Sequence, residues 1–227
     1  MARPGVLLGV AGGGLAVFTV LLVAVAVHRG PLPFDAAVRD WVAANATPEG
    51  RDLVLPLARM GAREALVPVL LAGGLALWWR RRAPGPLLLL VGSYLGMAMV
   101  VGPAKKLLHR PEPLDLPGEI GRSFPSGHGA QAVLVFGLLA ALLAADPVGR
   151  RARPVLVAVP VVCSALVGIA MVYRNAHWLS DVVAGYAIGV VWTAGPLALA
   201  RLAAPGLFGF TPVAPTDRAP EAAARRR

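Results

Sequence analysis

Residues 125–145 read PSGHGAQAVLVFGLLAALLAA: a polar tetrapeptide, Pro125-Ser126-Gly127-His128, runs straight into an uncharged apolar stretch from Gly129 to Ala145. A stretch of that length and composition is suited to the hydrocarbon layer of a bilayer. Backbone N–H and C=O groups in lipid must be paired internally, so the stretch reads as a helix. The tetrapeptide is then the start of that helix. Serine is a good N-cap, and glycine lets the backbone approach a ligand closely. The free N–H groups and the positive end of the helix dipole suit an anion. An imidazole at His128 could pass a proton to or from that anion near neutral pH. The plainer reading of the same four residues is a helix cap with an interfacial histidine.

Five further apolar segments lie on either side, at about residues 5–27, 62–79, 86–108, 154–173 and 182–200. Each reads as a helix for the same reason, giving an all-α, polytopic bundle of six transmembrane helices over residues 1–205. The composition agrees: 57% of the 227 residues are hydrophobic and 15% charged, where soluble domains carry about 25% charged residues. The first segment ends in Ala24-Val25-Ala26, which resembles a signal-peptidase site. Its length favours an uncleaved anchor, and either reading places residue 30 outside the cytoplasm. Residues 206–227 are rich in Pro, Ala and Arg without apolar periodicity and read as a disordered tail.

The net charge of +10 comes from arginines in short clusters between apolar runs. That pattern sets membrane orientation. No basic face with interleaved aromatics argues for nucleic acid. Arg80-Arg81-Arg82, Arg150-Arg151 with Arg153, and Arg225-Arg226-Arg227 all fall on one side of a six-helix count. That side is expected to be cytoplasmic, with both termini. The loops at 28–61, 109–128 and 174–181 are then outside. Asp35, Arg39, Asp40, Glu49, Arg51 and Asp52 nearly cancel in the first of these. The lone Cys163 sits in an apolar run as a small core residue. Gly185 and Gly189 form a small-xxx-small pair, which reads as close helix packing.

Polar residues gather in two of the outside loops and the helix ends beside them. His177 and Asp181 are four apart and would share a helical face. A carboxylate that accepts from one imidazole nitrogen fixes the tautomer and frees the other nitrogen to attack. The plainer reading is an interfacial histidine beside a dipole-complementing Asp. Lys105, Lys106 and Arg110 supply positive charge. Singly each reads as a snorkelling side chain; with two histidines and an anion-ready helix start, they read as a phosphate site. Phosphoryl transfer needs mainly positioning and positive charge around the equatorial oxygens. His28 and His109 have no such company and read as boundary residues.

With these motifs the sequence resembles the type 2 phosphatidic acid phosphatase (PAP2) superfamily, lipid phosphatases related to vanadium haloperoxidases. The family motifs are Lys-x6-Arg-Pro, Pro-Ser-Gly-His and Ser-Arg-x5-His-x3-Asp. The second is complete at residues 125–128. The third is matched at His177 and Asp181, and the first at Lys105 and Pro113. Two arginines depart: Glu112 and Met171 occupy their positions, with Ala170 in place of the third-motif serine. Losing two such phosphate contacts would cost roughly 3–6 kcal/mol. Arg110 and Arg174 stand at offsets from which they could take over that clamp.

The resemblance implies a metal-free, cofactor-free phosphatase acting on a lipid phosphate. His177 would be the nucleophile, forming a phosphohistidine, with Asp181 orienting it and His128 as acid and base. Lys105, Ser126 and Gly127, with Arg110 and Arg174, would hold the phosphate. It implies a site facing outside at the membrane surface. The family's substrates include undecaprenyl pyrophosphate, other polyprenyl phosphates, phosphatidic acid and phosphatidylglycerol phosphate. The Ala-, Arg-, Gly- and Pro-rich composition fits a high-GC bacterium, and hence its plasma membrane. A second class, a lipid-phosphate carrier without turnover, follows if the two departures abolish catalysis.

Overall fold

The computed structural model describes residues 3–28, 30–114, 121–145 and 151–208, and all regular structure among them is helical. In chain order the helices are α1 (Pro4–His28), α2 (Pro33–Asn45), α3 (Pro48–Leu53), α4 (Leu55–Met60), α5 (Arg63–Arg81), α6 (Gly85–Leu108), α7 (Gly127–Leu143), α8 (Arg153–Tyr173) and α9 (Leu179–Ala203). The six apolar segments expected from the sequence are α1 and α5–α9. By length and composition α1, α6, α8, α9 and the Pro48–Arg81 stretch that ends in α5 can each cross a membrane. At 17 residues α7 is shorter, about 26 Å long at 1.5 Å per residue.

That shorter helix is the centre of the bundle. It packs against α5, α6, α8 and α9, and α1 lies along α9. Ala130, Leu134, Val135, Leu138 and Leu142 are fully buried along α7, so its length need not match the lipid. The outer helices carry the reverse pattern. Val20, Leu95, Met99 and Ile169 are all more than half exposed. An exposed apolar surface of this extent is disfavoured in water and matched by hydrocarbon, so the protein is an integral membrane protein.

The contact between α7 and α9 is close, and glycine makes it possible. A Cβ on Gly185 would stand 2.4 Å from the Ser126 carbonyl oxygen, and one on Gly189 would stand 2.7 Å from that of Ala130. The sequence reading of this pair as a packing device therefore holds. At the other end of α7, Arg81 donates to the Leu142 carbonyl at 2.6 Å and to the Phe208 carbonyl at 3.0 Å. This contact gathers the C-terminal ends of α5, α7 and α9. Arg80, Arg81 and Arg82 thus lie at one end of the bundle, with the opposite end formed by the C-termini of α6 and α8 and the N-termini of α7 and α9.

Two expectations are corrected or bounded. The loop expected over 28–61 contains three short helices, α2 to α4. Pro33 starts α2, and Asp35 in its first turn accepts from Leu32 N at 3.2 Å. Thr47 caps α3 by accepting from Gly50 N at 3.0 Å. On α2, Phe34, Val38, Trp41 and Val42 follow helical spacing, but the run is too short and too charged to stand out as a membrane segment. Of the tail assigned to 206–227, residues 209–227 lie outside the described residues, and Phe208 packs against the core. Arg150 and Arg225–Arg227 also lie outside them.

Candidate active site

The two histidines singled out in the sequence meet at the end of the bundle opposite Arg80–Arg82. The ring centroids of His128 and His177 are 6.4 Å apart, with planes inclined at 61°. His128 is the second residue of α7, and its position follows from how that helix begins. Ser126 is the N-cap, its hydroxyl oxygen accepting from Gly129 N at 3.3 Å. Its own N–H donates to the Asp181 carbonyl at 2.9 Å, which ties the start of α7 to the start of α9. The N–H groups of Gly127 and His128 lie in the first turn and have no intrahelical acceptor. Gly61, just after α4, backs the histidine closely: a Cβ there would lie 3.2 Å from His128 Cβ and 2.5 Å from Val167 Cγ1.

His177 sits between α8 and α9. Asn175, with φ 54°, turns the chain out of α8, and Ala176 N returns to the Met171 carbonyl at 3.0 Å. The imidazole is buried, and its Nδ1 lies 3.5 Å from Asp181 Oδ2 without a hydrogen-bond partner. Asp181 is in the first turn of α9, where its Oδ2 accepts from Trp178 N at 3.0 Å. Nδ1 faces this carboxylate, so Nε2 is the nitrogen left to face a substrate.

Lys105, in the last turn of α6, lies against the start of α7. Its Cε is 3.9 Å from where a Gly127 Cβ would be. The ammonium donates to the Arg122 carbonyl and, at 3.4 Å, to that of Ser123. It is within electrostatic range of Asp181, Glu112 and Arg122, and His128 is within range of Lys105 and Glu64. The arrangement can hold an anion between two imidazoles, beside one ammonium and a helix start. Among the described residues no three His, Cys, Asp or Glu side chains are grouped to hold a metal ion.

Arg110, expected from its sequence offset to hold phosphate, is bound in the structure by protein groups. It is 3% exposed and engaged by carboxylates. Nη1 donates to Asp181 Oδ1 and, at 2.7 Å, to Ser180 Oγ; Nη2 donates to Asp35 Oδ2 at 2.7 Å. The guanidinium also stacks over Trp178, 5.6 Å from the ring centroid. The reason is electrostatic: two buried carboxylates need a cation, and Arg110 is the one between them. Arg174 caps the end of α8 and donates to the Arg51 carbonyl at 2.6 Å, holding α3 beside the site. The position of the missing third-motif arginine is filled by Met171, packed in the core with Ala170. His28 and His109 are exposed.

Asp35 was missed in the sequence. It is 1% exposed and accepts from Leu32 N, Ser180 N, the Ser180 hydroxyl and Arg110. The available signal was local: an acid in the first turn of a Pro-started helix.

The family model described as the PAP2 superfamily matches residues 86–201. The chain is 27% identical over 177 residues to phosphatidylglycerophosphatase B of Bacillus subtilis (strain 168), covering 75% of this chain and 86% of that protein. It superposes on the crystal structure of the first transmembrane PAP2-type phosphatidylglycerolphosphate phosphatase from Bacillus subtilis with a TM-score of 0.72. That match has 23% identity and covers 88% of this chain and 96% of the other. Aquifex aeolicus LpxE gives a TM-score of 0.56 at 20% identity, with 73% and 96% covered. These two likenesses are of fold.

Proposed function

The chain belongs to the PAP2 superfamily, and from that premise we propose that it is a lipid phosphatase working through a phosphohistidine at His177. The observation that carries the reading is the convergence of His128 and His177, with centroids 6.4 Å apart, on the open first turn of α7. Binding a phosphate would need only cations and N–H donors. A second imidazole paired with a carboxylate is what transfer requires.

In the proposed reaction Nε2 of His177 attacks phosphorus and forms an N–P bond as the bond to the leaving oxygen breaks. His128 gives that oxygen its proton. A water then attacks phosphorus, His128 takes its proton, and the N–P bond breaks. Inorganic phosphate leaves and His177 returns neutral. Asp181 orients His177 throughout. Lys105, the Ser126 hydroxyl, the Gly127 N–H and Arg174 are assigned to the phosphate oxygens. Charge of one sign around those oxygens is what stabilises the transition state.

The substrate is assigned to the lipid phosphates: phosphatidylglycerol phosphate, phosphatidic acid or a polyprenyl pyrophosphate. The name of the Bacillus subtilis relative supports the first of these. We assign the opposite end of the bundle, and with it the site, to the outer face of a bacterial plasma membrane, with both termini cytoplasmic; the arginine clusters support this orientation.

The test is phosphate release from a panel of those lipids in detergent with EDTA present, comparing the wild type with His177→Ala. The expected result is release that survives EDTA and is lost with His177. Binding of the lipids with no release by either protein would establish the carrier in place of the enzyme.

A further inference from the structure

One cation stands between two buried anions beside the proposed nucleophile. Asp35 and Asp181 are 1% and 0% exposed. Arg110 reaches both, one Nη to each. Ser180 joins the same group. Its hydroxyl donates to Asp35 Oδ2 at 2.6 Å and accepts from Arg110 at 2.7 Å, and its N–H donates to Asp35 Oδ1 at 2.8 Å. Asp35 therefore holds the guanidinium from α2, while Asp181 holds it from α9.

This sharing has a consequence for His177. A guanidinium given to one carboxylate alone can meet it with two parallel N–H groups and neutralise it. Here the second Nη is held by Asp35, so Asp181 is met by Nη1 alone. Its other oxygen, Oδ2, faces His177 Nδ1 at 3.5 Å. Two carboxylates thus share one guanidinium, and the Asp181 oxygen that Arg110 does not hold is the one beside the imidazole. Besides His177, the ionisable groups near His128 are Lys105 on α6 and Glu64 on α5. None of them hydrogen-bonds to Asp35, whose partners are Leu32, Ser180 and Arg110.

We infer that Asp35 is a positioning residue for the nucleophile: by holding one arm of Arg110 it leaves Asp181 Oδ2 clear of the guanidinium and oriented toward His177. This rests on the assignment of His177 as nucleophile. A helix that lies outside the family-matched segment, residues 86–201, thus becomes part of the catalytic apparatus. Asp35 does not touch the substrate; it acts through Arg110 and Asp181.

The test uses the full chain in detergent, with phosphatidic acid and phosphatidylglycerol phosphate as probes. Asp35→Asn keeps the size and the Ser180 contact but removes the charge. It is expected to lower kcat about ten- to hundredfold, as a small misplacement of a reacting group does. KM should stay within about twofold, because no substrate contact is lost. Asp35→Glu should recover part of the loss. A purely structural residue would lower the amount of folded protein and leave kcat per folded molecule unchanged, and that result overturns the inference.

Ser180→Ala, which keeps all three charges and removes the hydroxyl joining Asp35 to Arg110, covers the case in which Asp35→Asn does not fold. It should lower kcat less, again at constant KM; an unchanged kcat overturns the inference. A readout independent of turnover separates this idea from the phosphatase reading. In 15N-histidine-labelled protein, the His177 signals, identified by their loss in His177→Ala, should move in Asp35→Asn while those of His28 stay. Unmoved His177 signals overturn the positioning role whether or not any lipid is hydrolysed. An inactive wild type whose His177 signals do move would remove the phosphatase reading and keep the coupling.

Discussion

Arg110 shows how a residue with the right charge at a permitted offset can be engaged by carboxylates of its own chain. Its guanidinium is buried between Asp35 and Asp181, and the balance of buried charge decides its role. Arg110→Ala would leave two unpaired anions in the protein interior, and breaking such a pair costs about 3–5 kcal/mol. Arg110→Lys keeps the charge but cannot reach two carboxylates with a planar fork. Thermal unfolding in detergent should therefore show Arg110→Ala strongly destabilised and Arg110→Lys less so. A variant with wild-type stability and only a raised KM would put Arg110 on the substrate instead. At this scale the sequence was informative wherever the chemistry is encoded within a few residues. Pro125–His128 carries its own cap and anion site, and His177 and Asp181 share a face by their spacing. Asp35 could not be found in that way. Its partners are 75 and 145 residues distant, and in the sequence its charge is balanced by its neighbours.

The elements differ in legibility for a similar reason. Helices α5 to α9 are legible in the sequence to within a few residues of their ends because lipid demands long, uninterrupted apolar runs. Helices α2 to α4 are held by caps and by packing against α8 and α9, signals that membrane-length apolar runs do not carry. The α7–α9 contact was readable from Gly185 and Gly189, and it carries a prediction. The Ser126 N–H to Asp181 carbonyl bond is the joint between the Pro-Ser-Gly-His turn and the helix that bears Asp181. Gly185 lies directly against Ser126. Gly185→Val should force α9 from α7, at about 1–3 kcal/mol for an overpacked core position. It should also part His128 from His177. Phosphate release should fall further than the fraction of folded protein, measured by size exclusion and thermal unfolding. Equal losses in the two measurements would mean that the joint carries stability alone.

The whole molecule is polar along its long axis. Arg80, Arg81 and Arg82 close one end, while His128, His177 and Lys105 occupy the other. Arginine-rich ends are retained in the cytoplasm, so the site should open to the outside, where a phosphorylated headgroup in the outer leaflet could reach it without crossing the bilayer. This can be read without any activity. Cys163 is the only native thiol and lies half-buried in α8, so a Cys163→Ala background makes introduced cysteines unambiguous. Asp52 on α3 and Arg82 at the end of α5 are both exposed and belong to opposite ends. In intact cells a membrane-impermeant maleimide should modify Asp52→Cys at once. It should reach Arg82→Cys only after permeabilisation. The opposite order would turn the catalytic end toward the cytosol. The same two histidines would then face inner-leaflet phosphates, and the chemistry would stand while the substrate pool changed.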